Sequence, residues 1–202
     1  MTKRILLAGL LGGLAMFLWE SVAHMATPLG DMGIRALPDE QAMISLVGQT
    51  LRQPGFYFFP GPDYKPGMTA AQKQQAMRAA MDRMSQGPSG ILIATPFGSA
   101  PLSPGQFVTQ FACDCAAMLL AAFLVARALA PTNFRRRAMF VAVLGVFPSL
   151  ATEIPYLTWY KFPLDYTVAQ FIVHVVGFLV GGLVVAWVVK AAAPAKTAMG
   201  AA

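Results

Sequence analysis

The sequence predicts an all-α membrane protein: an up-down-up-down four-helix transmembrane bundle with a small extramembrane α+β cap between helices 1 and 2. Three observations lead there. The chain of 202 residues is 56% hydrophobic and 12% charged, with a mean hydropathy of +0.57, too apolar for an ordinary soluble domain. Residues 5–25, 106–128, 138–156 and 167–189 form four runs that reach the roughly 20 apolar residues a helix needs to cross a bilayer. The charges are also sorted. Lys3, Arg4, Arg127, Arg135, Arg136, Arg137, Lys190 and Lys196 flank the spans on one side, and all nine acids lie on the other side or within the spans. Cytoplasmic loops carry the Lys/Arg excess, so both termini and the loop holding Arg135, Arg136 and Arg137 are expected in the cytoplasm.

The net charge of +6 is therefore a topology signal, with anionic lipid as a second use, and nucleic acid is not an expected partner. Cys113 and Cys115 point to different sides of a helix, so they read as two small buried residues and not as a disulfide.

The first segment has the basic start, apolar run and Ser21-Val22-Ala23 site of a cleavable leader. Trp19 and Glu20 are awkward so near a cut, and apolar character resumes past Ala23, so residues 1–25 are expected to stay as helix 1. A cap follows over residues 26–104. Pro38 before Asp39 and Glu40 is a helix start, and Ala42, Met43, Leu46, Val47 and Leu51 give an amphipathic helix to about Gln53. The aromatic run Gly55-Phe56-Tyr57-Phe58-Phe59 is bracketed by breakers and reads as a strand. Its rings are expected to pack the cap or an interfacial belt, with a ligand platform as the alternative. Thr69 caps a second helix to Gln86, in which Met77, Met81 and Met84 are expected to pack, because no His or Cys accompanies them as copper ligands. Residues 90–96 form a strand able to pair with the aromatic one.

Trp19-x4-His24, Pro28-Leu29-Gly30, Leu37-Pro38-Asp39-Glu40, Gly55-Phe56-Tyr57-Phe58-Phe59-Pro60 and Gly87-Pro88 resemble the pattern of uncharacterised bacterial four-span inner-membrane proteins, over roughly the first 100 residues. The resemblance implies a multi-pass bacterial inner-membrane protein with an external, hence periplasmic, cap. It implies no activity and no functional residue.

Residues 105–190 hold helices 2–4. Pro131-Thr132-Asn133 turns the chain, Pro148 is expected to kink helix 3, and that helix is expected to end around Pro155. Tyr156, Trp159, Tyr160 and Tyr166 then form an aromatic belt. The tail 191–202 is expected to be disordered.

Helices in lipid associate through small residues and shared polar contacts, and each span carries such a stripe at steps of three and four. The stripes are Gly9, Gly13, Met16, Glu20, His24; Gln106, Gln110, Asp114, Ala117, Ala121; Ala138, Ala142, Gly145, Ser149, Glu153; and Thr167, Gln170, His174, Gly177, Gly181. Glu20, His24, Asp114, Glu153 and His174 share a depth, roughly 5–12 Å below the outer helix ends at about 1.5 Å per residue. An ionisable group at mid-helix costs about 2.5–3.5 kcal/mol, so such groups face the bundle or pair. One cluster is the expectation.

Three uses of that cluster follow. The first is a hydrogen-bonded network, or a socket for a charged residue of another membrane protein subunit, making the chain an accessory or assembly subunit. The second is a divalent-metal site for Zn, Mn or Fe, with Glu20, His24, Asp114, Glu153 and His174 as ligands, acting on a lipid-soluble substrate. The di-metal bundles use a Glu-x-x-His pair twice, whereas here one Glu–His pair occurs, at i,i+4. The third is a proton or solute path, opposed by the apolar inner half of every stripe. Ser21 diverges from Glu20 by about 100° on the helix, so it is not expected to act with Glu20 and His24 as a nucleophile. No phosphate loop, nucleophile elbow or dinucleotide fingerprint is present.

Overall fold

Small residues set the spacing of the helices. In a computed structural model that describes residues 2–95, 98, 102–129 and 132–189, the chain forms α1 (Thr2–Ala26), α2 (Glu40–Thr50), β1 (Gly55–Phe59), α3 (Ala70–Gln86), β2 (Gly90–Ala94), α4 (Pro104–Leu129), α5 (Phe134–Tyr160) and α6 (Leu164–Val188). α1, α4, α5 and α6 are long and apolar enough to cross a membrane. Their outward leucines and phenylalanines, Leu6, Leu10, Leu14 and Leu18 on α1 and Leu120 and Phe123 on α4, are exposed. The expected disordered tail, with Lys190 and Lys196, lies outside the described residues, as do Pro96 and Pro131.

The chain divides into two compact units. The first comprises residues 1–34, 102–158 and 162–202. In it α1 packs against both α4 and α6, and α5 packs on α6. Gly9 and Gly13 meet α4: a Cβ at Gly9 would lie 2.9 Å from the Leu119 backbone, and one at Gly13 would lie 2.5 Å from Cys115 Cα. Gly12 meets Val185 and Gly181 on α6, and Gly182 meets Val141 on α5. This close approach is what lets Met118, Val125, Val141 and Val185 reach full burial. Cys113 is exposed and Cys115 half-buried, which corrects the expectation that both are buried. Two positions apart, they cannot both face α1.

Helix α5 differs from its expected form. Pro148 cannot donate to the Leu144 carbonyl, and the helix answers with a π turn over Ser149–Glu153, closed by Ile154 N–H donating to the Ser149 carbonyl. The helix does not end at Pro155. That residue is second in the resumed segment Ile154–Tyr160, in a first turn where a missing N–H is tolerated. Tyr156 and Trp159 are thus helical, and Phe162 links Tyr156 to Tyr166 through ring contacts of 5.1 and 5.5 Å.

The second unit comprises residues 35–101 and 159–161. β1 and β2 pair antiparallel, with Gly55 opposite Ala94 and Phe59 opposite Gly90. Asp39 caps α2 by accepting from Ala42 N–H at 3.0 Å. Thr69 and Gln72 form a reciprocal capping box on α3. The α3 methionines pack less than expected. Met81 is 58% exposed, Met77 and Met84 are half-buried, and only Ala80 is buried on this helix.

Candidate functional site: a polar cavity in the four-helix unit

Two neighbours on α1 point to different helices, and this builds the site. Trp19 Nε1 donates to the Val173 carbonyl of α6 at 3.0 Å. Glu20, turned about 100° away, faces α4. There Gln110 donates from Nε2 to Glu20 Oε2 at 2.8 Å and to Asp114 Oδ1 at 2.9 Å. One amide thus bridges two carboxyl groups on adjacent helices. Gln110 and Asp114 stand four apart on α4, the spacing that stacks side chains on one helix face.

Asp114 is 2% exposed, and its Oδ2 has no hydrogen-bond partner among the described residues. Among these residues no Lys or Arg bonds to either carboxyl group. A buried polar group without a partner costs of order 1–3 kcal/mol, so the Asp114 side of the bridge is an unfinished polar contact.

A cavity of about 520 Å³ opens beside the bridge. Glu20, His24, Gln106, Gln110, Gln170 and His174 supply its polar wall, and Phe17, Phe107 and Val173 part of its apolar wall. The mixture, mainly apolar surface with a few convergent polar groups, is that of a binding site. His174, on that wall, also has its Nδ1 3.8 Å from Glu153 Oε1 of α5, longer than a hydrogen bond. Ser149 Oγ on the same π turn is buried and without a partner among the described residues.

The five residues expected to converge are therefore placed as two pairs and a rim. Glu20 and Asp114 meet through Gln110. Glu153 and His174 face each other. His24 is exposed and shares the cavity wall with Glu20 and His174, while its neighbour Ala23 takes the fully buried position. Helix order is the reason. α4 and α5 touch α1 and α6 respectively, so the acid of each outer helix meets the helix beside it. Among the described residues, no three His, Cys, Asp or Glu side chains form a group that could hold a metal ion. Ser21 donates its hydroxyl hydrogen to the Phe17 carbonyl at 2.8 Å, the local bond that a helical serine commonly makes.

No protein-family model matches the chain, and no curated protein or solved structure is significantly similar to it. The four spans stand on their own. This is a multi-pass membrane protein.

From the sequence Gln110 belongs to the inward stripe with no task of its own, although its position one helical turn before Asp114 signals the contact. Arg137 reads from the sequence only as a topology charge. In the structure Arg137 is 6% exposed. Its Nε and one terminal nitrogen donate to the Ala186 carbonyl at 3.3 and 3.1 Å, and the other terminal nitrogen donates to the Thr132 carbonyl. The guanidinium fork thereby ties the α4–α5 turn and α5 to the last turn of α6, where unpaired carbonyls accumulate.

Proposed function

We propose that this is a bacterial inner-membrane protein with both termini cytoplasmic, its helices running up-down-up-down and residues 26–104 on the periplasmic side. In this reading it works as an accessory or assembly subunit. The polar cavity between α1, α4 and α6 receives a basic side chain from the membrane helix of a partner protein. The observation that carries this reading is the Glu20–Gln110–Asp114 bridge. Two carboxyl groups share one donor and meet no Lys or Arg among the described residues, beside a cavity of about 520 Å³. Polar groups in lipid pair with one another or mark a functional contact, and a cation from a neighbouring helix would complete this pair.

The resemblance to four-span inner-membrane proteins and the sorting of Lys and Arg support the location and orientation. A photo-reactive amino acid at Gln106, on the cavity wall, should cross-link to one defined membrane protein in the native membrane. That complex should survive purification in mild detergent from wild type, and not from the Glu20→Gln, Asp114→Asn protein. A wild-type chain that purifies alone, with no cross-link from position 106, refutes the reading. Zinc, manganese and iron content of the same preparations tests the metal alternative.

A further inference from the structure

The second unit contains an apolar face that its own residues leave bare. In an antiparallel pair, residues directly opposite one another point to the same side. Phe56 stands opposite Ile93 and Phe58 opposite Ile91, so these four share one face of the hairpin. Phe56 is 58% exposed, Phe58 44% and Ile93 73%. The opposite face is only partly covered, and Phe59 on it is still 46% exposed. Tyr57 folds its ring over Gly55 and donates its hydroxyl to the Gln53 carbonyl at 2.6 Å. The Phe59 ring lies over Gly90, 3.2 Å from where a Cβ would stand. A lone two-stranded hairpin is marginal in water, and one that leaves Phe56, Phe58 and Ile93 exposed on one face needs a cover.

What covers it is indicated by Tyr160. Its ring meets Phe56 edge-on, with centroids 5.9 Å apart, and it belongs to the same compact unit as the hairpin. It is also the last residue of α5, one of the four helices built to cross a membrane. The end of such a helix lies where hydrocarbon gives way to head groups, the depth that tyrosine and tryptophan favour. Trp159, next to it, is 76% exposed. Phe56 is therefore within ring contact of the last residue of a helix long and apolar enough to span a membrane. The bare face carries no charged side chain. The ion pair of the nearby turn, Lys65 with Asp63 at 3.6 Å, lies beyond the strand in sequence.

We propose that Phe56, Phe58 and Ile93, together with Trp159 and Tyr160, are seated in the head-group and upper acyl layer of the bilayer. The occupant of this face is lipid. The hairpin would then act as a lateral membrane anchor for the unit, independent of whatever fills the cavity in the four-helix unit.

Nitroxide labels test this in full-length protein reconstituted in phosphatidylcholine–phosphatidylglycerol vesicles. The chain would carry Cys113→Ala and Cys115→Ala, with single cysteines introduced at Phe56 or Ile93 and, as an aqueous control, at Lys73 on α3. Oxygen should collide with labels at 56 and 93 several-fold more often than a water-soluble nickel chelate does, and the preference should reverse at 73. Nickel access at 56 and 93 equal to that at 73 overturns the proposal. So does protection from both reagents, which would mean that a protein surface or a second copy covers the face. A second measurement leaves the hairpin unaltered. In the Trp19→Phe, Trp187→Phe protein, Trp159 fluorescence should be quenched more strongly by lipids brominated near the carbonyl end of the acyl chain than by lipids brominated near the methyl end. The absence of quenching by either lipid overturns the proposal as well.

Discussion

Replacing Gly13 by alanine tests whether helix contact, and not hydrophobicity, organises the four-helix unit. A Cβ at Gly13 would stand 2.5 Å from Cys115 Cα, 2.6 Å from Cys115 N and 2.7 Å from Cys115 Sγ. Two of these atoms are backbone, so no change of rotamer relieves them. Reaching ordinary contact at 3.4 Å requires α1 and α4 to part by about 0.9 Å. Overpacking of this kind costs about 1–3 kcal/mol. Alanine also favours a helix over glycine by about 1 kcal/mol, and a control removes that gain from the comparison. Gly105, near the start of α4, has only Ser103 Oγ within reach, at 3.8 Å. The expected result is that Gly13→Ala is less stable than Gly105→Ala by about 1–3 kcal/mol, measured by SDS titration in mixed micelles and followed by circular dichroism. Adding Cys115→Ala should not restore stability, because it removes only the sulfur. If Gly13→Ala matches Gly105→Ala, or if Cys115→Ala rescues it, the close backbone approach of α1 and α4 is not what sets this packing.

Three further outcomes follow from the polar contacts. Gln110→Leu takes the shared donor from Glu20 and Asp114 and should cost about 1–3 kcal/mol. In a double-mutant cycle with Glu20→Gln the two changes should be coupled, and additivity within about 0.5 kcal/mol would rule out the bridge. Arg137→Lys loses the fork that reaches both Ala186 and Thr132 and should destabilise by about 1–3 kcal/mol. The exposed Arg135→Lys and Arg136→Lys should stay within about 0.5 kcal/mol of wild type; equal effects at all three positions would refute a structural role for Arg137. Trp19→Phe removes one hydrogen bond between α1 and α6, and thermal unfolding should register a loss of about 1 kcal/mol with the fold retained. An unchanged midpoint would mean that the bond to Val173 contributes nothing.

The sequence by itself determined which parts of this chain are long and apolar enough to cross a membrane. For α5 and α6 it also determined much of the face that turns inward, whereas on α4 the stripe residues Gln106 and Gln110 are exposed. Span length and apolarity are sums over consecutive residues, so they need no knowledge of neighbours. The inward stripes are nearly as local. Ala138, Ala142, Gly145, Ser149 and Glu153 are all buried, as are Thr167, Gly177 and Gly181, because a helical period fixes a face whatever packs against it. On α1 the period lost its precision at the end, where Ala23 is buried and His24 is exposed. A one-residue choice of this kind depends on how the facing helix is rotated.

Only the tertiary structure decided which helices are neighbours, and with that the identity of the site. Gly13 meets Cys115 and Glu20 meets Gln110, pairs about a hundred residues apart, and no local pattern encodes such a meeting. Because α1 and α6 lie between α4 and α5 in the order of contacts, Asp114 pairs toward Glu20 while Glu153 pairs toward His174. The five groups thus become two pairs, with His24 on the cavity wall that Glu20 and His174 share. Arg137 shows the same limit from the other direction. Its charge is legible as topology, but its burial depends on carbonyls at Ala186 and Thr132 that only packing presents to it. A helix face is a property of one segment, whereas a site is a property of how segments approach, and the approach is set by contacts between residues distant in sequence.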